Sequence, residues 1–248
     1  MTISADLNGQ VAIVTGASSG LGKHFCSVLT ANGARVVAAA RRVDRLDELV
    51  ESGDAAVAVA CDVVKAEDIA ALIAAAVPLG GPHIVVNAAG FGEDVPALDV
   101  SIDDFRRTLD VDLTATFAIA QAAANAMPGG GSIINIASIL GLGASWPLTQ
   151  AAYCAAKGGV INLTRQLGAE WAELGIRVNA IAPGWFPSEI TEEMFADERA
   201  AGWIRRNTPM RRPGRLDELD GALLLFASPS STFLTGQVLA VDGGWTAR

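Results

Sequence analysis

The chain lacks what metal, disulfide, nucleic-acid and membrane chemistry require. Its two histidines, His24 and His83, lie far apart and have no companion ligands at metal spacing, so no metal site is expected. The three cysteines, Cys26, Cys61 and Cys154, are odd in number and show neither CxxC nor metal-like spacing. They read as free thiols in a reducing compartment, which excludes a disulfide scaffold. No block of Lys and Arg occurs, and 18 basic against 27 acidic residues leave a net charge of −9. That balance excludes nucleic acid or an anionic membrane surface as the main partner, though a basic pocket for one phosphate stays open. The longest apolar run, 69–82, is too short to span a bilayer and ends in Pro and Gly. Residues 1–10 carry neither a signal-peptide pattern nor an Arg-rich amphipathic one. The expected location is the cytoplasm.

What is present is apolar and regular. Half of the 248 residues are hydrophobic and 26 are Gly, which suits a buried parallel sheet under closely packed helices, in one domain spanning 1–248. Strand-length apolar runs occur at 11–15, 35–40, 55–60, 84–87, 132–136, 177–181 and 238–241. Helical periodicity fills about 20–32, 42–51, 66–77, 102–127, 151–174 and 217–227. Strict alternation with short connections predicts an α/β, Rossmann-type, doubly wound seven-stranded parallel sheet with helices on both faces. Ligands then bind at the carboxyl ends of the strands. Two segments break the rhythm: a Gly/Ser/Pro-bearing loop at 141–150 and a long insertion at 185–215, which reads as a substrate lid.

After the first strand come Thr15, Gly16, Ala17, Ser18, Ser19, Gly20, Leu21 and Gly22, and then a helix. Gly16 permits the tight turn, Gly20 lets backbone N–H groups approach a pyrophosphate, and Gly22 lets the helix pack on the sheet. A P-loop does not fit, because Lys23 is followed by His24 rather than Ser or Thr and the glycines are one residue too far apart. At the end of the second strand, where a carboxylate would bind a ribose 2′-hydroxyl, stand Ala39, Ala40, Arg41 and Arg42. A guanidinium there suits a 2′-phosphate, so NADP(H) is expected in preference to NAD(H), with Arg41 as the phosphate ligand. A solvated helix start is the other reading of these arginines.

Scarcity sharpens one further pattern. The single tyrosine, Tyr153, has one of only three lysines, Lys157, four residues on, a pairing that chance produces roughly one time in a hundred. On a helix the two share a face. Interconverting a ketone and an alcohol requires a group that gives and takes a proton, and a phenol titrating near about pH 10 is poorly matched to neutrality. An adjacent ammonium favours the phenolate. Ser138 closes the fifth strand where the same site would open, placed to hold the substrate oxygen beside Tyr153.

Together these motifs resemble the short-chain dehydrogenase/reductase superfamily over nearly the whole length. Thr15 to Gly22 is similar to its TGxxxGxG loop, and Asp62 with Val63 to the acidic residue meeting the adenine and its neighbour. Asn87, Ala88, Ala89 and Gly90 resemble the NNAG turn, and Ser138, Tyr153 and Lys157 the catalytic Ser and YxxxK. Residues 177–184 resemble the RVNxIxPG segment and 241–244 the VDGG segment. The resemblance implies Tyr153 as acid/base, Lys157 holding the nicotinamide ribose and depressing the Tyr153 pKa, and Ser138 orienting the carbonyl. Pro183, Gly184, Phe186 and Ser188 would line the nicotinamide, Ser188 standing where the family often has Thr. A homotetramer or homodimer is likewise implied. Three departures stand out: Asp112 where the family's fourth catalytic residue is Asn, Ala88 in the NNAG turn, and a longer Ser138 to Tyr153 interval that reshapes the loop bearing Trp146.

Trp146 and Trp185 are the expected substrate contacts, and Trp185, Phe186, Met194, Phe195 and Trp203 of the insertion suit an apolar or partly apolar ketone or alcohol. Packing of the lid onto the domain is the competing reading. Sugar alcohols, acyl-thioester ketones, cyclic ketones and steroid-like compounds all remain open. A cofactor-binding regulator without turnover is the alternative function. Asp112 favours it, while intact Tyr153, Lys157 and Ser138 oppose it.

Overall fold

Alternate residues of the first strand, β1 (Val11–Thr15), face opposite cores: Val11 and Ile13 enter one apolar cluster, Ala12 and Val14 the other. A strand buried on both faces belongs inside a parallel sheet covered on both sides. The computed structural model describes residues 4–144 and 146–247. Its other strands are β2 (Arg35–Ala40), β3 (Val57–Ala60), β4 (Ile84–Asn87), β5 (Gly131–Ile136), β6 (Ile176–Pro183) and β7 (Val238–Val241). They run parallel in the order β3-β2-β1-β4-β5-β6-β7. The Rossmann-type sheet expected from the alternation is present.

The helices are α1 (Gly20–Ala31), α2 (Val43–Glu51), α3 (Ala66–Ala76), α4 (Ile102–Leu109), α5 (Ala115–Asn125), α6 (Ala151–Glu170), α7 (Glu192–Ala196), α8 (Glu198–Asn207) and α9 (Asp220–Ala227). Phe25 and Leu29 of α1, Leu46 and Leu49 of α2, and Leu223 and Phe226 of α9 fill one face of the sheet. Ile69 and Leu72 of α3, Ile119 of α5 and Leu167 of α6 fill the other. Each such side chain contributes about 1.5–3 kcal/mol on full burial.

Two expectations are corrected. The helix predicted over 102–127 is not continuous: a π turn, Asp110–Thr114, separates α4 from α5. Side-chain periodicity cannot register one extra residue per turn, and such turns concentrate at functional sites. The insertion 185–215 is not an irregular loop but holds α7 and α8, the latter capped by Asp197, which accepts from the amides of Arg199 and Ala200.

β1 and β4, neighbours in the sheet but not in sequence, flank the point where strand order reverses, and α1 begins there. Beneath that crevice a polar chain is buried: Asn87 Nδ2 donates to Asn135 Oδ1 (3.0 Å) and Asn135 Nδ2 to Thr164 Oγ1 (2.9 Å). Thr15 Oγ1 accepts from the amides of Ala88 and Ala89, both at 3.2 Å, and so fixes the turn after β4.

Candidate active site

A cleft of about 770 Å³ opens along the carboxyl ends of the strands. Gly16, Ser18, Ser19, Gly20, Leu21 and Gly22 form one wall, with Arg41, Asp62 and Val63 beside them. Gly16 is left-handed (φ 66°), and a Cβ on it would stand 2.7 Å from the Ala88 carbonyl oxygen. A Cβ on Gly22 would stand 2.3 Å from the Gly16 carbonyl oxygen. No side chain fits at either place, so loop and helix meet backbone to backbone and the N-terminus of α1 faces the cleft. An exposed helix start of this kind suits a pyrophosphate, and the lining from Asp62 to Ser188 accommodates a dinucleotide.

At the other end stand Ala88, Gly90, Ser138, Tyr153, Lys157, Asp112, Pro183, Gly184, Phe186 and Ser188. Ser138, extended after β5, offers its Oγ to the Leu140 amide (3.1 Å) and hydrogen-bonds the Tyr153 phenol. Lys157 lies one turn along α6, its Nζ 5.5 Å from the Tyr153 ring centroid and donating to the Ile136 carbonyl at 3.1 Å. Asp112, carried inward by the π turn, is fully buried with Oδ1 3.0 Å from Lys157 Nζ, and its Oδ2 accepts from the Phe91 amide at 3.2 Å. Burial pushes the Tyr153 phenol above its ordinary range; Lys157 pulls it down, Asp112 pushes it up, and Ser138 pulls it down. Depression by Lys157 is therefore present but outweighed by burial. Lys157 loses charge stability to burial, yet Asp112 and Tyr153 more than restore it and its pKa lies above the ordinary value.

The sequence model described as enoyl-(acyl carrier protein) reductase matches residues 16–246. Galactitol 2-dehydrogenase (L-tagatose-forming) of Cereibacter sphaeroides is 39% identical over 245 residues, covering 97% of this chain and 96% of the relative. 3beta-hydroxysteroid dehydrogenase 1 of Eggerthella lenta is 40% identical over 254 residues, covering 97% and 95%. The chain belongs to the short-chain dehydrogenase/reductase family. A solved gluconate 5-dehydrogenase from Burkholderia cenocepacia, in complex with NADP and tartrate, superposes with a TM-score of 0.92 at 34% identity, covering 98% of this chain and 97% of that one. This short-chain dehydrogenase/reductase is thus an NAD(P)-dependent oxidoreductase of alcohols and ketones. No helix among its described residues is long and apolar enough to cross a membrane.

Three expected contacts lie outside the cleft. Asn87 is buried beneath it in the Asn135–Thr164 chain, its Nδ2 donating to Asn135 Oδ1. Trp146 is 82% exposed and is not among the residues that line the cleft. Trp185 is buried edge-on against Trp203 (5.9 Å) and Trp245 (5.4 Å), so the lid's aromatics chiefly pack on one another, in a cluster that Tyr153 also joins. In this dehydrogenase/reductase the 177–184 motif acts structurally: Arg177 donates to Ser231 Oγ and the Phe226 carbonyl (2.8 Å each), and Asn179 donates to the Leu234 carbonyl (2.8 Å). These bonds present Pro183 and Gly184 to the cleft.

The cleft also gathers residues the sequence did not single out: Phe91, Glu93, Arg107, Val111, Glu189 and Thr191. Arg107 meets Glu93 at 2.8 Å and its guanidinium lies 5.7 Å from the Phe91 ring centroid. Arg42 reaches across the glycine loop to Ser18 Oγ (3.0 Å), Ser19 Oγ (2.9 Å) and Glu189 Oε2 (2.8 Å), and its bond holds the Glu189 carboxyl below the usual range. Adjacency of Glu189 to Ser188 was the only hint in the sequence.

Proposed function

We propose that the protein is an NADP(H)-preferring reductase/dehydrogenase that interconverts a ketone or aldehyde and the corresponding alcohol, with Tyr153 as acid/base. The observation that carries this reading is the convergence of Ser138, Tyr153 and Lys157 on the cleft that starts at the glycine loop. A bound nicotinamide supplies the hydride in reduction and receives it in oxidation. Ser138 and Tyr153 donate hydrogen bonds to the carbonyl oxygen, and the phenolic proton passes to that oxygen as the C–H bond forms. In the reverse direction the phenolate takes the hydroxyl proton. Lys157 holds a positive charge against the phenolate and sits where a ribose hydroxyl would meet it. The protonated resting phenol suits the donor role.

Preference for NADP(H) is supported by the absence of a carboxylate at the end of β2 and by Arg41 in the cleft wall. Arg42 is engaged by Glu189, which leaves Arg41 as the residue to meet a 2′-phosphate; NAD(H) remains the weaker cofactor. Under the same reading the chain is one catalytic domain with 185–215 as lid, acting in the cytoplasm, where its free thiols Cys26, Cys61 and Cys154 stay reduced. Ile102 and Phe117 on the α4–α5 flank remain exposed, which fits assembly into a homodimer or homotetramer; a light-scattering mass of one chain would remove that part.

The test follows nicotinamide absorbance over a panel of ketones and alcohols with NADPH and NADH, beside Tyr153→Phe. Loss of about 10²–10⁴ in kcat with cofactor affinity retained is the expected outcome. Full activity in the variant would overturn the acid/base role, and a lower Michaelis constant for NADH than for NADPH the Arg41 assignment.

A further inference from the structure

Three ionisable groups meet at one end of the cleft. Asp112 is fully buried, its Oδ1 lies 3.0 Å from Lys157 Nζ, and Lys157 Nζ lies 5.5 Å from the centroid of the Tyr153 ring. The carboxylate is held from both sides: Oδ2 takes the Phe91 amide, and Oδ1 faces the ammonium. An amide in its place has one acceptor for these two donors. Gly90 leaves the approach open, since a Cβ there would stand 2.5 Å from Asp112 Oδ1 and 3.2 Å from Lys157 Nζ.

The charges decide what the arrangement does. With a phenol and an ammonium alone, the whole field of the cation falls on the phenol and favours its ionisation. A carboxylate at 3.0 Å answers that cation first. The resting set of carboxylate, ammonium and phenol is then neutral, and ionising the phenol places two anions around one cation.

We infer that Asp112 sets the pH range of the Tyr153–Lys157 pair, its carboxylate keeping Lys157 charged and Tyr153 protonated, so that the resting site is a proton donor suited to carbonyl reduction and oxidation requires more alkaline conditions. Asp112 is a positioning residue acting through Lys157. The inference rests on the assignment of Tyr153 as acid/base. Ser138, at the end of β5, hydrogen-bonds the phenol; Cys154 is next to it on α6; Glu93, after β4, is paired with Arg107 of α4 at 2.8 Å. Burial is the largest cause that raises Tyr153, and Asp112 adds to it; burial lowers Lys157, and Asp112 is the first of the charges that raise it above its ordinary value.

Because Tyr153 is the only tyrosine, near-ultraviolet phenolate absorbance reads its ionisation alone, without turnover. In NADP+-loaded protein, Asp112→Asn is expected to lower the titration midpoint by about one pH unit or more, and the acidic limb of kcat/KM for alcohol oxidation moves with it. Superimposed titrations, an upward shift, or a uniform fall in kcat with an unmoved midpoint would each overturn the inference. Asp112→Ser serves if the Asn variant fails to fold. Should neither fold, the wild type carries the test: reduction with NADPH stays flat from about pH 7 to 9 if the phenol is held protonated, and a decline centred near neutrality overturns it. The titration and the Tyr153→Phe assay fail separately, so loss of one reading is distinguishable from loss of the other.

Discussion

Gly90→Ala puts one methyl group against the buried Asp112–Lys157 ion pair. Gly90 does not have a left-handed backbone, so alanine is conformationally allowed and by itself would stabilise by about 0.4–1 kcal/mol through the unfolded chain. Space argues the other way. The new Cβ would stand 2.5 Å from Asp112 Oδ1, and the carboxylate must retreat by about 0.9 Å to reach an ordinary 3.4 Å contact. Lengthening the 3.0 Å ion pair by that amount loses about 1 kcal/mol at an effective dielectric of about 20. Overpacking a filled site adds about 1–3 kcal/mol. The net destabilisation is then about 1–3 kcal/mol, which for a chain of this size lowers the melting temperature by about 2–12 °C. Thermal unfolding followed by circular dichroism, with NADPH affinity measured in parallel, checks it. An unchanged or raised melting temperature would show that the Asp112–Lys157 pair has room to move and would refute the reasoning.

Two further outcomes follow from groups away from the cleft centre. Arg212, with the Arg215 amide, holds the Glu218 carboxyl down to about 2 from an ordinary 4.5; its stabilising contribution is therefore full above about pH 4.5 and is lost as pH falls toward 2. The melting-temperature gap between wild type and Glu218→Gln should stay constant from about pH 7 to 5 and close below that, and a gap independent of pH would refute the assignment. Trp146→Ala, at a side chain 82% exposed and outside the cleft, should leave kcat/KM within about twofold, whereas a tenfold loss would return Trp146 to the substrate site.

The sheet, the cofactor loop and the Tyr153–Lys157 pairing were legible along the chain, because each is a local pattern. Strand burial reads out at period two, helix faces at i and i+4, and the glycine loop as a run of eight residues between a strand and a helix. The replacement of Asn by Asp at 112 was also visible as a letter, with pairing to Lys157 as one of its open outcomes. That consequence needed the folded chain: the π turn is a backbone event that hydrophobic spacing does not encode, and Asp112 within it lies 3.0 Å from Lys157 Nζ on another helix. The same holds for the substrate residues. Trp146 and Trp185 carry the right chemistry, but whether an indole lines a cleft, packs on two other indoles or faces solvent depends on partners distant in sequence. Asn87 was placed in the binding set by its motif and beneath it by Asn135, 48 residues away. Arg42 and Glu189, 147 residues apart, meet only because the crossover after β6 returns the lid to the start of α1. Patterns of nearest neighbours are written along the chain; the pairing of buried charges and the filling of space between elements are settled where chain segments remote in sequence compete for the same volume.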